Sequence, residues 1–129
     1  RDYIKPELNN EIKYLGHLSQ DEINEYLKLA RALLFTSVWE EPYGLTIAES
    51  LACGTPVVSW NLGAAPEIIT EETGYLIDEI DPDAMAAILK EVQFLNRREC
   101  RERAEEFCAI SSMVMAYENL YKSILAQKI

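Results

Sequence analysis

Seven residues separate two carboxylates, Glu41 and Glu49, in the run Trp39-Glu40-Glu41-Pro42-Tyr43-Gly44-Leu45-Thr46-Ile47-Ala48-Glu49. Pro42 cannot sit in a helix interior without losing a backbone bond, so a helix is expected to open near Gly44. Its first N–H groups and the positive end of its dipole suit a phosphate, and a glycine there lets the ligand approach the backbone closely. Two carboxylates would repel that phosphate unless they face neutral hydroxyls, from which an ionised carboxylate accepts two or more hydrogen bonds. Phosphate flanked by hydroxyl-rich groups describes a sugar nucleotide. Glu49 lies one turn into the helix, roughly 7 Å from its start, and Glu41 in the loop before it, so the two are expected to reach opposite ends of the ligand.

The elements that position this run follow from periodicity. Residues 1–10 are polar and aperiodic, an entry strap. Ile12-Lys13-Tyr14-Leu15-Gly16 has the composition of a short strand, with His17-Leu18 as the loop leaving it. Ser19 and Glu22 form a capping box ahead of Ile23, Tyr26, Leu27 and Ala30 at helical spacing. Ala32 to Thr36 is continuously apolar and is expected to be a central parallel strand buried on both faces. The helix from Gly44 carries Leu45, Ala48, Leu51 and Ala52 on one side and stops at Gly54, a residue suited to a left-handed C-cap.

Thr55 to Trp60 reads as the next strand, with Pro56 near its start. The loop from Asn61 leads to a short helix at Pro66 to Ile69, and a turn at Thr73-Gly74 precedes the strand Tyr75-Leu76-Ile77. Asp81 and Pro82 cap and open a helix with the stripe Met85, Ile88, Leu89 and Val92. Arg97 to Phe107 is expected to be a charged helix with pairs such as Glu99 and Arg103, and Ser111 or Ser112 to open a last helix bearing Met115, Leu120, Tyr121 and Ile124. Alternating strands and helices predict an α/β fold, a Rossmann-like open parallel sheet with helices on both faces. The loops His17-Leu18, Ser37 to Tyr43 and Asn61 to Pro66 are then expected along the C-terminal edge of the sheet, where such folds bind ligands.

Composition narrows the function. A chain of 129 residues is the size of one domain, or part of one. No apolar run approaches the ~20 residues that cross a bilayer and the start lacks a signal-peptide core, so the chain is expected to be cytoplasmic. Cys53, Cys100 and Cys108 lack metal-ligand spacing and read as free thiols. A formal net charge of −10 argues against a nucleic-acid surface. Between Arg31 and Lys90 there is no Lys or Arg, so the central run cannot supply a cation to a diphosphate from its own neighbourhood in sequence.

The run from Glu41 to Glu49 with Ala52-Cys53-Gly54-Thr55-Pro56-Val57-Val58 resembles the E-x7-E region of retaining glycosyltransferases with the GT-B fold, those of family 4. The likeness extends from Ile12 to Asp78 and returns weakly at Phe107 to Tyr121. It implies a two-domain, hexosyltransferase-like enzyme of which residues 1–129 are a partial C-terminal, nucleotide-sugar-binding domain. By that likeness an N-terminal acceptor domain, and the first strand-helix units of the donor domain, which in the family carry an Arg and a Lys for the diphosphate, are expected to lie outside these residues.

By the same likeness Glu41 is the catalytic carboxylate, contacting hydroxyls of the transferred sugar, and Glu49 binds the ribose. Backbone N–H groups of Gly44, Leu45 and Thr46 meet sugar and diphosphate, Tyr43 adjoins the sugar, and Gly16, His17 and Leu18 face the base. The donor is a nucleoside-diphosphate sugar, and no metal or other cofactor is implied. Membrane association of the parent is left open. Where the family tends to carry two glycines before Pro-Glu, this chain has Gly63-Ala64-Ala65-Pro66-Glu67. The fragment alone is expected to be inactive, and the competing reading is a non-catalytic module that binds sugar nucleotides or a partner protein.

Overall fold

The computed structural model describes residues 5–127, so the first four residues of the entry strap lie outside it. Three parallel strands, β1 (Leu33–Phe35), β2 (Val57–Trp60) and β3 (Gly74–Ile77), lie in the order β1-β2-β3, with Leu33 beside Val57 and Val57 beside Gly74. Alternate side chains go to opposite faces. Leu33, Phe35, Val57 and Leu76 join one core with Ile47, Leu51, Ile68 and Cys100, while Val58, Trp60, Tyr75 and Ile77 join another with Met85 and Val92. The sheet is thus covered on both faces, as the alternation of elements predicts.

The described residues also form the α-helices α1 (Gln20–Leu29), α2 (Leu45–Ala52), α3 (Ala65–Ile68), α4 (Pro82–Ile88), α5 (Arg97–Arg103) and α6 (Ile110–Ala126). The α1 capping box forms as expected: Ser19 accepts from the Glu22 N–H while the Glu22 carboxylate accepts from the Ser19 N–H at 2.8 Å. The Ser19 N–H and the Ser19 hydroxyl, both donating to that carboxylate at 2.8 Å, hold the Glu22 carboxyl below its ordinary range. Ser19→Ala is expected to cost about 1 kcal/mol, read as a lower midpoint in urea unfolding. Asp81 caps α4 through the Asp83 N–H, and Gly54 ends α2 at φ 72°. Among the described residues no helix is long and apolar enough to cross a membrane.

Helix α5 binds the others together. Arg97 donates to the carbonyls of Lys28 and Ala30 and to the Thr55 hydroxyl, each at 2.7 Å; Arg101 donates to the Ala52 carbonyl at 2.6 Å. Arg103 donates to the carbonyls of Glu67 and Ile68 at 2.6 and 2.9 Å. One helix therefore places a cation at the C-terminal ends of α1, α2 and α3, where carbonyls lack intrahelical partners and the dipole is negative.

Several expectations need correction. Ile12 to Gly16 is not a strand: the Asn9 side chain accepts from the N–H groups of Glu11 and Ile12 and curls the chain, and no described strand lies alongside to complete a ladder. Among the described residues the centre of the sheet is β2, all four of whose residues are buried, and β1 lies at its edge with Leu34 42% exposed. The inner face of α2 is Ile47, Ser50 and Leu51, whereas Leu45 is exposed. The charged helix does not run to Phe107, because a π-helical turn occupies Ala104–Cys108. Arg103 is committed to α3 rather than to Glu99, and the i,i+4 pairs that form are Arg98–Glu102 and Arg101–Glu105. Helix α6 opens at Ile110, because the chain leaves the π turn extended at Ala109 (ψ 144°), which puts Ser111 and Ser112 inside the first turn.

Candidate functional site

The C-terminal edge of the sheet carries the loops that follow the three strands, and these are tied to one another. Asn61 donates its side-chain amide to Asp78 at 2.8 Å and its N–H to the Ile77 carbonyl at 2.8 Å, joining the loops after β2 and β3. The Ala64 N–H donates to the Glu41 carbonyl at 2.9 Å, joining the loops after β2 and β1. Gly63, at φ 57°, lies so close beneath Glu41 that a Cβ would sit 2.6 Å from both its backbone N and O. Glu41 is thereby fixed through its backbone, and its half-buried carboxylate has no hydrogen-bond or ion-pair partner among the described residues.

Gly44 is the N-cap of α2 in the left-handed region (φ 77°, ψ 56°), and its carbonyl accepts from the N–H groups of Ile47 and Ala48 at 2.9 and 3.2 Å. A Cβ at Gly44 would meet the Ile47 side chain at 3.0 Å. The N–H groups of Gly44, Leu45 and Thr46 donate to no protein acceptor among the described residues, and Leu45 and Thr46 are exposed. A helix start of this kind presents three donors to an anion.

Glu49 faces a hollow of about 310 Å³ between α2 and the π turn, lined by Leu45, Ala48, Arg101 and Glu105 among others. Glu41 does not line it. Tyr43 borders that hollow and also a larger one of about 640 Å³ reaching to α3 and the first turns of α6. Gly16, His17 and Leu18 stand apart: Gly16 (φ 73°) lies in open space, His17 is exposed, and no hydrogen bond among the described residues joins them to the α2 start. The three α5 arginines serve helix C-termini, and none donates to the loop from Glu41 to Thr46. Two features escaped sequence reading. Gly63 could have been found as a glycine needing positive φ, whereas nothing in the sequence pointed to Cys108 beside Tyr43.

Burial pushes the Cys100 thiol up from 9.0 to about 11. The unfolded chain releases that proton near its ordinary value while the folded chain holds it, so this contribution to stability is present below pH 9 and is lost as pH rises towards 11. In the folded protein at neutral pH, iodoacetamide is expected to modify Cys53 and Cys108 and to spare the fully buried Cys100 until denaturant is added, as peptide mapping would show.

Residues 4–107 match the family described as glycosyl transferases group 1. The chain belongs to that family. This glycosyltransferase segment is 29% identical over 127 residues to the N-acetyl-alpha-D-glucosaminyl L-malate synthase of Bacillus anthracis, covering 92% of this chain and 32% of that one. It is 35% identical over 83 residues to the O-antigen chain mannosyltransferase B of Escherichia coli, covering 64% of this chain and 21% of that one. Sucrose-phosphate synthase from Thermosynechococcus elongatus superposes with a TM-score of 0.72 at 24% identity, over 96% of this chain and 33% of that one, which establishes the shared GT-B fold. The segment spans about a third or less of the length of these curated relatives.

Proposed function

We propose that the protein carrying this segment transfers a glycosyl group from a nucleoside-diphosphate sugar to an acceptor hydroxyl with retention of configuration. Residues 1–129 are assigned to the C-terminal donor-binding domain of a family 4 enzyme. The observation that carries this reading is the α2 start, where three unpaired N–H groups stand beside a carboxylate loop locked to its neighbour. Those donors are assigned to the diphosphate and sugar, Glu41 to hydroxyls of the transferred sugar, Glu49 to the ribose, and Gly16, His17 and Leu18 to the base. Tyr43 borders the sugar.

As the bond to the diphosphate breaks, negative charge grows on the departing oxygens, and fixed N–H donors stabilise it without reorganising. A helix N-terminus supplies on the order of 1 kcal/mol, too little for a diphosphate among so many carboxylates. The remaining neutralisation is assigned to side-chain cations elsewhere in the protein rather than to a metal, and acceptor binding to its other domain. Three free thiols suit the reducing cytoplasm, where we place the reaction.

The test is to incubate the full-length protein with UDP- and GDP-sugars and an acceptor panel, following nucleoside diphosphate release and the anomeric configuration of any product by NMR. Release with a product of the donor's own configuration is expected. Binding without transfer or donor hydrolysis would make the protein a non-catalytic module, an inverted product would refute retention, and turnover by residues 1–129 alone would refute the division of the site.

A further inference from the structure

Tyr43 and Cys108 are the two residues common to both hollows, so together they form the partition between the one that holds Glu49 and the one beneath α6. Tyr43 lies on the loop entering α2, and its hydroxyl makes no hydrogen bond of good geometry among the described residues. It lies against the Cys108 sulfur closely enough that each group alters the other's proton affinity, although burial is the larger cause and raises both.

Cys108 is half-buried and packs against the core that includes Ile47, Ile68 and Ala104. It ends the π-helical turn, a rare conformation that concentrates at functional sites. Upstream, Arg103 anchors that turn through the Glu67 and Ile68 carbonyls, with its guanidinium 4.0 Å over the Phe107 ring. Downstream, the chain extends through Ala109 into α6, none of whose residues is buried. The π turn is therefore a fixed support beside Tyr43, which remains 44% exposed.

We propose that Cys108 is a positioning residue for the donor loop: it seats the Tyr43 ring in the partition and so sets the approach to Glu49 and to the N–H groups of Gly44, Leu45 and Thr46. Its kinetic consequence rests on the donor reading above, and its structural part does not.

The experiment uses the full-length protein and has a ligand-free arm and a kinetic arm. In the first, N-ethylmaleimide modification is mapped by mass spectrometry, with Cys53 as the half-buried reference and buried Cys100 as the sentinel for unfolding. Tyr43→Ala is expected to speed modification of Cys108 several-fold, with Cys53 unchanged and Cys100 still protected. An unchanged Cys108 rate, or exposure of Cys100 alongside it, overturns the proposal.

In the second arm, Cys108→Ala and Tyr43→Ala are each expected to raise the donor KM about 3-fold or more. The double variant should be no worse than the worse single, kcat and the unfolding midpoint should hold, and Cys108→Ser should restore the KM. Additive effects, or a lowered midpoint with an unchanged KM, refute positioning. If the wild type binds no nucleoside-diphosphate sugar, the functional reading falls, and the modification rates still decide whether Cys108 seats Tyr43.

Discussion

Glu41→Ala in the full-length enzyme is expected to lower kcat about 100-fold with little change in donor KM, while Glu49→Ala raises donor KM by about 10-fold or more and spares kcat. The split follows from where the carboxylates sit. Glu41 is in a loop whose backbone is held at both its N–H and its carbonyl, to Trp39 and Ala64, so its position is fixed before ligand arrives. A group fixed in that way is placed for the charge that develops in the transition state and stabilises it without reorganising, so its loss appears in kcat. Glu49 is on α2 and faces a hollow that Glu41 does not line. A hydrogen bond from a ribose hydroxyl to its carboxylate is made equally in ground and transition states, and such uniform binding appears in KM. Steady-state kinetics with varied donor, at saturating acceptor, separate the two, and both variants behaving as wild type would refute the site assignment.

Sequence carried the parts of this fold that are local. Ser19 with Glu22, Asp81 with Pro82, and Gly54 each declare a helix boundary within four residues, and all three lie where periodicity puts them. The helix start at Gly44 was legible for the same reason, since Pro42 and Gly44 constrain the backbone by their own chemistry. What failed was non-local. Ile12 to Gly16 has strand composition, but a strand exists only when another lies beside it, and Asn9 takes the N–H groups instead. The apolar run of β1 resembles a central strand because a continuous run does not record how many neighbours it has.

The α5 arginines illustrate the same limit more sharply. Glu99 and Arg103 have ideal helical spacing for a pair, yet Arg103 reaches carbonyls 35 and 36 residues earlier, and Arg97 reaches Ala30 across 67. An exposed i,i+4 pair contributes only ~0.3–0.5 kcal/mol, whereas a charged donor satisfying otherwise unpaired carbonyls contributes about 1.5–3 kcal/mol per bond. The stronger interaction prevails, and only the tertiary fold reveals that it is available. The cation-free span from Ala32 to Leu89 was legible; in the fold Arg101 borders the Glu49 hollow, but it donates to Glu105 and to the Ala52 carbonyl rather than to the loop from Glu41 to Thr46.

Gly63→Ala is expected to lower kcat/KM for the donor about 100-fold, the loss that accompanies a catalytic group displaced by about 1 Å. A Cβ at residue 63 would lie 2.6 Å from the Glu41 N and O and 2.9 Å from the Glu40 carbonyl carbon, all backbone atoms. No side chain can rotate to relieve such contacts, so the two loops must separate, and the Ala64 to Glu41 hydrogen bond separates with them. The left-handed φ of 57° adds a backbone cost of about 1–2 kcal/mol for alanine. Gly16→Ala distinguishes these two causes, because Gly16 has φ 73° with nothing within 4 Å of an added Cβ and so bears the backbone cost alone. Comparison of unfolding midpoints should show the greater loss for Gly63→Ala, with the excess reporting the clash. Should Gly63→Ala retain the wild-type kcat/KM, the contact with Gly63 is not what positions Glu41, and the locking of the Glu41 loop to its neighbour would lose its place in the mechanism.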